Sequence, residues 1–249
     1  DRVCAHHHAT GSSRGWLFGF TVVEQKVEET WHPDVRYFEM TDENGVFLGG
    51  FYIDLFPRPD KQQGGWMNDL SYGTPEPDGR VPPHLGVICA NFPPASKERP
   101  ALLTHRDVQT LFHEYGHLLH HLSSRVPIPR RGGVSVAWDW VELPSQLLEN
   151  WTWERESLDL FARHWETEER LPNELFQRMQ RARRFLGGWR QMRQLGFGTL
   201  DLALHTKYRP GRHGDVVAWV TEQLQAFSPG PSFAAANPLA SFLHIFSGG

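Results

Sequence analysis

His113-Glu114-Tyr115-Gly116-His117 sets two imidazoles four residues apart, with a carboxylate directly after the first. On a helix, residues i and i+4 lie one turn apart on one face, so His113 and His117 can aim at a single metal ion. Glu114 is then rotated by about 100° from His113. From there it can flank the ion without ligating it and take a proton from a metal-bound water. A five-residue match of this kind also arises by chance, and helical histidines are commonly solvated. His120 and His121, further along the same segment, read as ordinary polar helix positions.

A zinc site that does chemistry takes three protein ligands and keeps one position open. The next acidic segment is Asp139-Trp140-Val141-Glu142-Leu143-Pro144-Ser145-Gln146-Leu147-Leu148-Glu149-Asn150-Trp151, which follows a Gly132-Gly133 turn. From Glu142 it reads as a helix with Pro144 in its first turn, where proline is tolerated. Glu142, Gln146 and Glu149 then share one face, between apolar Val141, Leu143, Leu147 and Leu148. Glu142 is the choice for the third ligand. Glu149 is either a partner that orients a ligand histidine or a surface carboxylate. Two imidazoles and one carboxylate suit Zn2+, although other divalent ions can occupy such a set.

These side chains need a framework. Thr104-His105-Arg106-Asp107 has the form of a capping box that starts a helix. Behind it, Val108, Leu111, Phe112, Tyr115, Leu118, Leu119 and Leu122 recur at three- and four-residue intervals as an apolar stripe. Gly116 inside that helix costs roughly 1 kcal/mol relative to Ala, which suggests that something approaches the backbone there. Earlier, the β-branched and aromatic runs at 35–40 and 46–55 flank Thr41-Asp42-Glu43-Asn44-Gly45 and predict a hairpin of the Asn-Gly type. A short helix is expected near Val22–Glu29. Residues 59–84 read as loop with at most one short strand, and 85–90 as a strand in which Cys89 is a small buried hydrophobe. Beyond residue 100 the pattern is helical. The expected fold is mainly α with a small β-sheet near its start, in one domain over residues 1–249.

Composition narrows the function. The chain has 249 residues, 39% hydrophobic and 22% charged, with 25 Lys+Arg against 29 Asp+Glu. A net charge of −4 is too balanced to suggest a nucleic acid or an anionic membrane as partner. No apolar run approaches the roughly 18 residues of a membrane span. Two cysteines allow at most one disulfide, so a reducing, cytoplasmic setting is expected. No basic start precedes an apolar core, so no signal peptide is expected. The chain begins at Asp1, which suggests a processed or fragmentary sequence, and His6-His7-His8 reads as a tag remnant or a polar tract. Arg181, Arg183, Arg184, Arg190 and Arg193 read as a solvated helix face, and Arg130 and Arg131 as somewhat better candidates for substrate contact.

Taken together, residues 100–117 (Pro-Ala-Leu-Leu-Thr-His-Arg-Asp-Val-Gln-Thr-Leu-Phe-His-Glu-Tyr-Gly-His) and 141–151 (Val-Glu-Leu-Pro-Ser-Gln-Leu-Leu-Glu-Asn-Trp) resemble the thimet oligopeptidase and oligopeptidase A family of zinc peptidases. Residues 31–38, 89–92 and 200–205 share the likeness, which runs from about residue 16 to the end. The resemblance implies a zincin-like metallopeptidase catalytic domain that hydrolyses short peptides. It implies His113, His117 and Glu142 as zinc ligands and Glu114 as general base. His244 matches a family histidine near the substrate, and the strand around Ile88–Phe92 matches an edge strand that pairs with an extended peptide. Family members also carry a large helical region ahead of this part, and tyrosines after the glycine-rich loop that begins at 244–249. Neither is in this sequence, so the rival expectation is a zinc-binding fragment or remnant with impaired turnover. A structural protein with an accidental motif would bind no metal. Oligomeric state is left open.

Overall fold

A computed structural model describes residues 3–4, 13–14, 18–74, 76–228, 239 and 245, the first four through their backbone alone. Eight strands come first: β1 (Val3–Cys4), β2 (Ser13–Arg14), β3 (Thr21–Gln25), β4 (Arg36–Thr41), β5 (Phe47–Asp54), β6 (Trp66–Ser71), β7 (His84–Cys89) and β8 (Leu102–Leu103). Among the described residues six helices follow: α1 (His105–Leu122), α2 (Trp138–Glu149), α3 (Arg155–Phe161), α4 (Asn173–Arg184), α5 (Gly187–Thr206) and α6 (Val216–Gln225). The chain divides into two compact units, Asp1–Pro172 and Asn173–Gly249. Among the described residues no helix is long and apolar enough to cross a membrane.

The first unit is built on a six-stranded mixed sheet in the order β2-β3-β4-β5-β7-β6, while β1 pairs with β8 apart from it. All neighbours are antiparallel except β5 and β7. β3 corrects the expectation of a helix near Val22–Glu29: Val22 and Val23 are β-branched and face Met40 and Glu39 across the ladder. The β4–β5 hairpin forms where expected, but around a longer turn. A two-residue Asn-Gly turn needs both residues at positive φ, and of the two only Gly45 has it (79°). Instead the Asp42 carboxylate accepts from the backbone N–H groups of Asn44 and Val46 and closes the loop. Among the described residues β6 is the strand that lies wholly within the 59–84 stretch.

Helix α1 lies across this sheet. Thr104 caps it, accepting from the Asp107 backbone while Asp107 accepts from the Thr104 N–H, as the capping box predicts. Its apolar stripe enters a core with Met40, Phe51 and Ile88, where Leu118 and Leu122 are fully buried. Each fully buried aliphatic chain of this kind stabilises by about 1.5–3 kcal/mol. Small residues let the helix sit low: a β-carbon on Gly86 would stand 2.7 Å from Leu118 Cδ1, and one on Gly49 2.9 Å from Leu122 Cδ2. Cys89 is buried with its thiol free, as expected of a small hydrophobe.

The helix carrying Glu142 begins earlier than expected, at Trp138, so Pro144 lies inside it rather than in its first turn. Proline has no N–H to give the carbonyl four residues back, and α2 accepts that missing bond at Trp140. In the second unit Asp215 caps α6 by accepting from the Ala218 N–H. A β-carbon on Gly196 of α5 would press on Phe227 Cβ at 3.1 Å, just past α6.

Candidate metal centre

One turn of α1 presents His113 and His117, their rings 4.9 Å apart and nearly perpendicular. The matching carboxylate arrives from α2, and its approach depends on Gly116. A β-carbon there would lie 2.6 Å from both the Pro144 carbonyl oxygen and Ser145 Cα, so only glycine lets the two helix backbones come this close. Glu142, two residues before Pro144, is thereby set over the histidine pair. Its Oε2 lies 3.1 Å from His113 Nε2 and 3.3 Å from His117 Nε2.

Those separations can be tested against a metal. Tetrahedral ligands at zinc–nitrogen and zinc–oxygen distances of roughly 2.0–2.2 Å stand about 3.2–3.6 Å from one another. The three donor atoms all fall within 4.8 Å of each other; of the two contacts to Glu142, that to His117 lies within the tetrahedral spacing and that to His113 just under it. No other group of three or more such side chains with this spacing occurs among the described residues. The donor set fits a divalent ion of zinc type.

The surroundings prepare the ligands. His113 Nδ1 lies 2.7 Å from Glu149 Oε1 and donates to it, which leaves the Nε2 lone pair facing Glu142 and His117. Of the two readings left open for Glu149, the structure supports the partner of a histidine. Gln109 donates to the other oxygen, Oε2, at 2.5 Å and holds the carboxylate in place. Ser145 Oγ sits 2.6 Å from Glu142 Oε2. Burial, partly countered by Glu142, lowers the pKa of His117 and favours the neutral, ligating form.

Glu114 is buried beside this set. Burial raises its carboxyl above the ordinary range, the charge of His113 opposes the rise, and Glu142 adds to it. The backbone of Met67, on β6, hydrogen-bonds to it. A β-carbon on Gly65 would lie 3.6 Å from Glu114 Oε1, so the chain entering β6 passes directly over the carboxylate.

Several expectations need correction. The strand around Ile88–Phe92 is not an edge: β7 is enclosed by β5 on one side and β6 on the other, with Cys89 opposite Trp66. The edge beside the candidate site is β6. His121 is not a solvated polar position but fully buried, its Nε2 donating to the Leu85 carbonyl at 3.1 Å under the edge of the Tyr72 ring. Gly133, at φ 54°, makes room for it, since a β-carbon there would stand 2.9 Å from His121 Nδ1. His244 and His6-His7-His8 lie outside the described residues. Arg130 and Arg131 occupy an exposed 3-10 turn, and the arginines of α4 and α5 are exposed on the second unit.

Gln109 and Ser145 escaped the reading of the sequence. Gln109 stands four residues before His113 and Ser145 three after Glu142, so the same helical spacing that paired the histidines points to both.

Comparison with known proteins adds a family. A model described as peptidase family M3 matches residues 14–249. Oligopeptidase A of Escherichia coli (strain K12) is 42% identical over 236 residues, 94% of this chain and 34% of that protein. Dipeptidyl carboxypeptidase of the same organism is 36% identical over 235 residues, again 94% of this chain and 34% of the relative. Thimet-like oligopeptidase of Dictyostelium discoideum is 30% identical over 236 residues, 93% and 35% of the two chains. The chain therefore spans about a third of the length of these curated relatives.

Proposed function

The chain belongs to peptidase family M3, and from that premise we propose that it hydrolyses short peptides at a zinc site formed by His113, His117 and Glu142, with Glu114 as general base. The observation that carries this reading is the convergence of three donors from two helices to within 4.8 Å of one another, beside a buried carboxylate. In this reading residues 1–249 are one zincin-like catalytic domain.

Zinc held by those residues would act as a Lewis acid, polarising the scissile carbonyl and lowering the pKa of water. Glu114 accepts the proton from the attacking water and then gives it to the leaving amine nitrogen. Its raised pKa suits that double task, because a carboxyl shifted toward neutrality both takes and returns a proton readily. Glu149 and Gln109 keep His113 in the tautomer whose Nε2 faces the other ligands. The outer side of β6, the edge of the sheet, offers a row of backbone groups to which an extended peptide can add as a further strand. The pairing role that the sequence suggested for 88–92 therefore belongs to β6.

The test is hydrolysis of a short quenched fluorescent peptide by the zinc-loaded chain, followed by chelation and re-addition of zinc. Cleavage that stops and returns with the metal supports the proposal. Background rates throughout, with zinc bound, would leave the impaired zinc-binding fragment as the better description.

A further inference from the structure

Between β5 and β6 the chain must step over the position that β7 later fills, and this crossing ends directly above Glu114. Loops of this length are held by their own contacts or move. Here one of the two holding groups is buried. Lys61 has a side chain only 3% exposed. Its Nζ lies within hydrogen-bond distance of the Asp54 backbone oxygen at 2.9 Å, Asp54 Oδ1 at 2.8 Å, the Phe56 carbonyl at 2.9 Å and the Ala90 carbonyl at 2.6 Å. One ammonium thus joins the end of β5, the start of the crossing and the exit of β7. From that exit Asn91 reaches back, its Nδ2 donating to the carbonyls of Gln62 and Gly64, each at 2.8 Å. The next residue, Gly65, meets the helix. A β-carbon on Gly65 would stand 2.7 Å from Thr110 Cγ2 and 3.6 Å from Glu114 Oε1.

We propose that Lys61 and Asn91 are positioning residues: a clamp, its ammonium buried and its amide half-buried, that fixes the Gly64–Met67 backbone against the Glu114 carboxylate and so sets both the base and the start of the β6 edge. Neither side chain touches the donor set. They act through backbone, Lys61 by locking the crossing to β5 and β7, Asn91 by fixing the carbonyls of Gln62 and Gly64 ahead of Gly65. Asp54 is held in turn by Arg58 and Trp31, so Lys61 is anchored on a carboxylate that cannot swing away. The kinetic consequence rests on the role proposed for Glu114. The clamp itself does not.

The experiment compares the zinc-loaded chain with Lys61→Met, Asn91→Ala and, as a surface control, Arg80→Ala. Backbone hydrogen exchange is followed over residues 62–71 and over α1, and kcat and KM are measured on a short peptide. Asn91→Ala removes two hydrogen bonds from a part-exposed position and keeps the test alive if Lys61→Met folds poorly. Exchange at Gly65–Met67 should quicken by about tenfold or more in both clamp variants while α1 stays protected. kcat should fall by about tenfold or more, with KM changed by less than about threefold. Arg80→Ala should match the parent in every readout. Unchanged exchange at 62–71, or protection lost equally across α1, would overturn the clamp. So would parental kcat in a variant whose segment has loosened. A parent chain that cleaves nothing would count against the proposed function alone, and the exchange data would still decide the clamp.

Discussion

The Pro144 carbonyl oxygen stands 2.6 Å from the place a β-carbon would take on Gly116, so the two helices of the candidate metal site touch backbone to backbone. Glu142 reaches His113 and His117 because of that contact. A methyl group at 116 meets main chain, which no rotamer change relieves. Gly116→Ala should therefore lower stability by about 1–3 kcal/mol, overriding the roughly 1 kcal/mol that alanine contributes to a free helix. Zinc affinity should fall with it as Glu142 is pushed outward. Denaturant unfolding and zinc titration of the variant check both, and a more stable Gly116→Ala would contradict the packing described.

Glu149 determines which nitrogen of His113 carries the proton. Replacing it with alanine should weaken zinc binding by about 10- to 100-fold, measured by competition with a chromogenic chelator. Gln109→Ala should have a smaller effect in the same direction, because it leaves the carboxylate present but less fixed.

Metal binding by the folded chain alone must raise its stability. At a free zinc concentration a hundred times the dissociation constant, the gain should be about 2.7 kcal/mol, read as a higher Tm and reversed by chelator. His117→Ala should show little of that gain, since it removes one of three donors.

Much of this site is visible in the sequence, and the exceptions have physical reasons. His113, Glu114 and His117 follow from helical spacing, and the capping box at Thr104 from local hydrogen bonding, because each is decided within one or two turns; spacing sets Glu142 only on a face with Gln146 and Glu149, and the contact between Gly116 and Pro144 brings it over the histidines. Gly116 signals a close approach before its partner is known. What local pattern does not carry is the far side of a contact. His121 looks solvated until the Leu85 carbonyl, 36 residues away, is placed beneath α1. The resemblance points to 88–92 as the pairing edge, whereas the structure sets β6 outside β7; 66–71 alternates only weakly and is exposed over most of its length, so local pattern does not single it out. β3 was missed for a related reason: Val22 and Val23 are followed by Glu, Gln and Lys that suit a helix, and only pairing with β4 decides the matter. Pro144 inside α2 is the case in which a sound rule about proline gave way to tertiary packing.

Asp54 yields a pH dependence. Burial pushes its carboxyl up, but hydrogen bonds from Arg58, Lys61 and Trp31 outweigh that and hold it well below the usual carboxylate range. A group lowered on folding contributes stability above its unfolded pKa, about 3.9, and loses it as pH falls through the folded value. Asp54→Asn leaves two cations without their buried partner and should cost about 3–5 kcal/mol at pH 7. The gap between variant and parent should narrow as pH drops below about 4, because the unfolded parent then takes up a proton that folding must expel, until the folded carboxyl protonates as well. Denaturant melts across that range provide the comparison.

The central claim is that Glu114 moves the proton at a zinc site built by this chain. Its most direct test is Glu114→Gln beside the parent, with bound zinc quantified and hydrolysis of a short quenched peptide followed in the same samples. Glutamine keeps the shape and the metal but cannot take a proton. The account predicts equal zinc content and a kcat lower by about 10²- to 10⁴-fold. Equal zinc content with an unchanged rate would contradict it.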